Sequence, residues 1–292
     1  MARVTPSSDH QGIRPRITAM TAQQNLTRIV FTIVAAVVLS FLYVPVLTLI
    51  ILSFNDSVGI SLPWVGFTLR WYGEALANFG AFNAFVNSVK LGICVGIIST
   101  LIGLLTALAF RRAIAGKSLV LASLLIPLLI PGIVLAVAQA VLWNVAGWTM
   151  NLWTSTLIGH LIYTSPFAFL TIFPRVHRFD PNIEAAAMDL GALPLVAFWT
   201  IVLPQIAPGL VASFLFCFTL SFDEFVRTLF LIGSQNTLPI YLWSIILNNP
   251  SPQTSAIAIL SMTFSLVMVA TGSMLLRQRR LIGHSSITEA ES

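Results

Sequence analysis

Six apolar runs, at approximately 29–53, 84–110, 118–143, 153–174, 206–231 and 254–276, are each long enough to cross a bilayer as a helix. A hydrocarbon core of about 30 Å needs about 20 such residues. Unpaired backbone groups are so unfavourable in lipid that only helices or closed barrels persist there, and runs this long exclude the short alternating strands of a barrel. The chain therefore reads as all-α and polytopic, a bundle of six transmembrane helices. With 292 residues, 57% hydrophobic and 9% charged, it cannot cover the water-exposed surface of a soluble domain.

The basic residues are distributed by side. Arg3, Arg14, Arg16 and Arg28, then Arg111, Arg112 and Lys117, then Arg175 and Arg178, then Arg277, Arg279 and Arg280 fall at alternate ends of the runs, whereas the opposite loops hold only Arg70. The positive-inside rule places both termini and the loop after the fourth run in the cytoplasm. The net charge of +5 is thus a topology signal, and nucleic acid is not an expected partner. Residues 1–27 are polar, aperiodic and rich in Pro, Ser, Gln and Arg, and read as an unstructured cytoplasmic tail. The next run is too long for a cleaved signal peptide and should remain as an anchor. The membrane domain is expected over 28–277, with the final helix ending at Arg277 and a polar tail over 278–292. Cys94 and Cys217 lie in apolar runs and read as small packing residues.

The loop from Asp180 to Leu210 breaks the apolar monotony with three carboxylates, Gly191 and four prolines. Asp180 is a good N-cap, Pro181 suits the first helical position, and Gly191 can close the helix in a left-handed conformation. Ile183, Ala186, Ala187 and Leu190 make one apolar stripe of mostly small side chains, open to close approach by another protein. Pro194 restarts a helix that Pro204 should bend or end, so the loop reads as two short helices meeting at a glycine, too polar to cross the membrane.

This stretch resembles the EAA coupling loop of permease subunits of ATP-binding-cassette importers, whose pattern is E-A-A, three residues, G, nine residues, I-x-L-P. Gly191, Ile201, Leu203 and Pro204 match in full, and Ala186 falls on an alanine of the pattern. Ala185 stands where the family usually has Glu, with the acid one step earlier at Glu184, so either Glu184 or Asp189 is left to meet the ATPase. The resemblance implies the type I importer permease fold, N-in and C-in, in the bacterial inner membrane, with the coupling loop over 178–205. It also implies partners: a second permease subunit, two ATP-binding-cassette ATPase subunits that hold ATP and Mg, and an extracytoplasmic solute-binding protein. No cofactor and no catalytic residue is expected in this chain. The wording F-T-L-R-W-Y at Phe67–Tyr72, Asn87-Ser88 and S-F-D-E-F at Ser221–Phe225 is similar to the spermidine/putrescine-type permeases, and Leu238-Pro239-Ile240 resembles the family form T-L-P-x-Y. Those permeases commonly carry an acid after the second proline of the third helix, where this chain has Gly132.

Asp223 and Glu224 should lie about 25 Å along the fifth helix from Ile206, in the outer half of the bilayer. Adjacent carboxylates there are expensive and should face a cavity or a partner. Arg227, four and three residues on, can neutralise one of them but not both. With Pro131, which interrupts the third helix, these three residues form the expected translocation path, and the excess acid favours a small cationic solute such as a polyamine. Trp64, Trp71 and Tyr72 suit the outer membrane interface, Lys90 can snorkel outward, Gly92 and Gly96 permit close helix packing, and His160 should hydrogen-bond between helices. Ala115-Gly116-Lys117-Ser118 imitates the end of a phosphate-binding loop but lacks its first glycine and a preceding strand.

The alternative is a secondary transporter or channel working without ATP. It should show charges in several helices and inverted repeats, whereas the charges here gather in one helix. An intramembrane protease would need a G-x-S-G nucleophile, and none occurs.

Overall fold

The computed structural model describes residues 13–59, 63–111, 115–248 and 250–288, with side chains described only between Asn25 and Met274. The chain runs α1 Ile13–Ser53, α2 Arg70–Ala77, α3 Phe79–Ala109, α4 Lys117–Leu129, α5 Gly132–Val145, α6 Leu157–Arg178, α7 Pro181–Asp189, α8 Pro194–Ala197, α9 Leu203–Phe222, α10 Val226–Leu231, α11 Leu238–Asn248 and α12 Pro252–Thr288. Five-residue π turns at Leu152–Thr156 and Phe198–Val202 lead directly into α6 and α9. Among the described residues there is no strand, and one isolated antiparallel bridge joins Asn55 to Phe67.

Five helical stretches are long and apolar enough to cross a bilayer, and α4 with α5 makes a sixth crossing if the bent pair counts as one. The bend is 108°, so the third run is not the straight crossing expected of it. Pro131 has no N–H to continue the ladder and pushes Ile130 into extended backbone at φ −91°, ψ 131°. The tail readings also change. The expected unstructured stretch before residue 28 is helical from Ile13, and α12 continues past Arg277 to Thr288. Both extensions continue a hydrogen-bond ladder already nucleated in an apolar span, where adding a residue is far easier than starting a turn.

The centre is built by α3, α6 and α9. Lipid offers no hydrophobic drive between helices, so close approach by small residues has to supply the packing. A Cβ on Gly103 would stand 2.7 Å from the Ala168 backbone, and Cβ atoms on Gly92 and Gly96 would meet the rings of Phe218 and Phe214 at 2.9 Å. The G-x-x-x-G of the second run is therefore spent on α9 of the same chain. Short hydroxyl contacts cross the same interfaces, Ser99 to Thr164 at 2.6 Å and Thr100 to Ser213 at 3.2 Å. Cys217 is buried and free, and donates to the Thr164 carbonyl.

Two aromatic clusters close the ends of this centre. Phe110, Phe169 and Phe179 gather with Ile172, Val176 and Ile206 at one end. Trp71, Phe218 and Phe222 gather with Leu238 and Ile257 at the other. Trp71 is thus a core residue and not an interface anchor: its indole N–H donates to the Asn55 carbonyl at 2.9 Å, and Tyr72 pairs with Ser53. Trp64 is exposed.

Candidate functional site

Asp180 caps α7 as its side chain and position suggest, accepting from the Asn182 N–H at 2.9 Å with Pro181 at the helix start. Gly191 follows α7 with φ +91°, a conformation natural to glycine. What comes after differs from two short helices. From Pro194 the helix runs without interruption through the π turn into α9, and Pro204 sits in the first turn of that helix. The π turn explains the tolerance: the Leu203 N–H reaches back to the Phe198 carbonyl, opening the ladder just where the proline ring would collide with a regular turn. The segment is thus a short capped helix hinged by a glycine onto the beginning of a span.

Its outer side is uncovered. Leu190, Leu193 and Leu195 are 91%, 70% and 73% exposed, and Ile183, Met188 and Trp199 are exposed beside them. Ala185, Ala186 and Asp189 face outward too, while Glu184 and Ala187 turn inward. The two candidate carboxylates therefore part company. Glu184 pairs with Arg111 at the end of α3, 3.0 Å apart, with side chains 25% and 20% exposed. Asp189 has no side-chain partner among the described residues. Arg111 also lies 5.1 Å over the Phe179 ring. Nothing in the spacing of Arg111 and Glu184 could have announced this long-range pair.

The false phosphate loop resolves into helix capping. Gly116 adopts φ +75° before α4, and Lys117 donates to the Phe110 carbonyl at the end of α3, 2.8 Å away.

At the far end of α9, Asp223 and Glu224 occupy a break between α9 and α10 and not the interior of one continuous helix. Glu224 accepts from the Arg227 N–H at 3.0 Å and from its guanidinium at 2.9 Å, so one carboxylate caps α10 and neutralises Arg227 together. Arg227 is buried, stacked 3.9 Å over the Tyr163 ring. A Cβ at Gly132 would stand 3.1 Å from its guanidinium, which makes room for this arginine beside Pro131, the cap residue of α5. Asp223 is exposed, and its carboxylate has no hydrogen-bond or ion-pair partner among the described residues. Just behind, His160 is fully buried, with Nδ1 2.8 Å from Ser221 and Nε2 2.9 Å from Thr228, so it ties α6 to α9 and α10 as an interhelical link. Tyr163 had no distinguishing pattern in the sequence, and the motif that begins at Ser221 gave no sign that Ser221 and Thr228 would hold a histidine.

Comparison with known proteins gives concordant results. Residues 99–283 match the family described as binding-protein-dependent transport system inner membrane component. The chain is 34% identical over 242 residues to the spermidine/putrescine transport system permease protein PotC of Escherichia coli strain K12, covering 82% of this chain and 91% of that one. It is 32% identical over 229 residues to the putrescine transport system permease protein PotI of the same organism, covering 76% and 81%. A crystal structure of a bacterial ABC transporter involved in alginate import superposes with a TM-score of 0.70 at 15% identity, over 90% of this chain and 99% of that one, a likeness of fold.

Proposed function

This chain belongs to the family of binding-protein-dependent transport system inner membrane components, and we propose that it carries small cationic solutes of the polyamine type inward, powered by a separate ATPase docked on its 178–205 loop. The observation that carries the docking half is the uncovered trio Leu190, Leu193 and Leu195 around a left-handed glycine. Exposed leucines clustered beside a basic, water-facing end mark a contact with another protein. The side on which they lie carries Arg111, Lys117, Arg175 and Arg178, which supports a cytoplasmic setting, where ATP is found. Asp189 is the carboxylate available to such a partner, because Glu184 is already engaged.

The solute half rests on Asp223. Glu224 is consumed by Arg227, which leaves Asp223 as the unpaired negative charge of the break between α9 and α10. The names of PotC and PotI point to spermidine and putrescine, whose ammonium groups suit such a carboxylate. A second permease subunit completes the path, and a binding protein delivers the solute to the outer face. Closure of the ATPases moves the α7–α8 element, and the bundle rocks between inward and outward openings.

Gly191→Val tests the docking. No atom lies within 4 Å of the added Cβ, so the variant introduces backbone strain of about 1–2 kcal/mol without a clash. The tagged native chain should co-purify with a cytoplasmic ATPase, and Gly191→Val should lose it while still inserting in the membrane. Retention of the ATPase by the variant, or solute movement by purified chain with no ATPase present, overturns the reading.

A further inference from the structure

We infer that the Arg111–Glu184 ion pair makes α7 and the inner end of α3 one rigid body, so that movement received by the loop enters the bundle through α3. The proposal rests on the docking reading above and assigns these two residues as positioning residues within it.

The geometry sets the need for such a tie. A cleft of about 630 Å³, lined by Leu108, Ala109, Met188 and Phe198 among others, lies between the end of α3 and the α7–α8 element. Side-chain packing therefore does not fill the space behind α7, whose exposed outer face offers no support either. Along the backbone α7 is connected only through its cap at Asp180 and the left-handed turn at Gly191, both places where a chain can swivel. The ion pair bridges the cleft. Both of its side chains are mostly buried, so water screens the pair less than it would a surface pair.

Arg111 is itself held from three directions. Its backbone N–H donates to the Leu108 carbonyl at the end of α3, its guanidinium lies over Phe179 next to the α7 cap, and the same guanidinium meets Glu184 in the first turn of α7. A carboxylate there is also favoured by the helix dipole, so Glu184 stabilises α7 and anchors it at once. The far end of the linkage is firm: α3 packs along α6 and α9 through Gly103, Gly96 and Gly92 with no slack for a side chain. Movement of α7 coupled to α3 is thereby shared with the whole centre, whereas an unlatched α7 would rest mainly on α8 and the π turn at Phe198–Val202.

Spin labels on Asn182→Cys in α7 and Ile97→Cys in α3, with Cys94 and Cys217 replaced by alanine, read the linkage directly. The probe is the chain with its co-purified ATPase in lipid nanodiscs, measured without nucleotide and with ATP and vanadate. The parent should give one narrow distance distribution that nucleotide leaves in place. Arg111→Ala and Glu184→Ala should each broaden it at least twofold, and the exchanged pair Arg111→Glu with Glu184→Arg should narrow it again. Single variants as narrow as the parent, no recovery in the exchanged pair, or a parent distance that shifts with ATP each overturn the proposal. If the chain captures no ATPase, the docking reading falls, and the nucleotide-free distances still accept or reject the tie by themselves.

Discussion

Asp223 and Glu224 are adjacent in the chain and opposite in circumstance. Glu224 makes two charge-assisted bonds to a buried arginine, and Asp223 makes none. Removing one member of a buried pair leaves the other charge unpaired, at about 3–5 kcal/mol. Glu224→Gln should therefore lower the thermal unfolding temperature in detergent and release Arg227 from its place. Asp223→Asn should leave that temperature within a degree or two of native and raise the KM for putrescine in proteoliposomes at least tenfold. Equal behaviour of the two variants would remove the distinction. The sequence alone showed that one arginine could serve only one of these acids. Which acid it serves was hidden, because the choice follows from the helix ending at Phe222, which frees Glu224 to cap the next turn. Arg111 was legible only as a marker of membrane side, since its partner comes from a distant part of the chain.

At the level of helices, the apolar runs were readable because lipid imposes a minimum length on any crossing; five of the six fall on helices long enough to span, and the third is the bent pair α4–α5. Breaks were readable in place but not in kind. Pro131 announced an interruption, and only the fold shows it to be a 108° corner. Pro204 announced an end, and the preceding π turn turns it into a continuation. Small residues told of close packing without naming the neighbour, which is α9 for Gly92 and Gly96 and α6 for Gly103. Gly103→Leu should force α3 and α6 apart, lowering stability by about 1–3 kcal/mol or more. Thermal unfolding monitored by tryptophan fluorescence checks this, and an unchanged transition would mean that the interface is looser than described.

For the molecule as a whole, sidedness is the property on which the docking and solute readings both depend. Val58→Cys, in the exposed loop after α1, should react with a membrane-impermeant maleimide in cells whose outer membrane alone is permeable. Asn182→Cys should react only after the inner membrane is opened. The reverse pattern would place the leucine-rich loop outside and end the ATPase reading. The docking loop and the break that holds Asp223 are nonetheless joined by one continuous helix, since Pro194 to Phe222 runs from the one to the threshold of the other. Along that path the π turn at Phe198–Val202 acts as a phase setting. Deleting one of its five residues would restore a regular thread and leave everything beyond in its present phase, whereas winding all five into a regular helix would rotate the rest by about 100° and push it on by about 1.5 Å. The direction in which Asp223 looks is thus set by how a single surplus residue is wound near the opposite mouth of the protein.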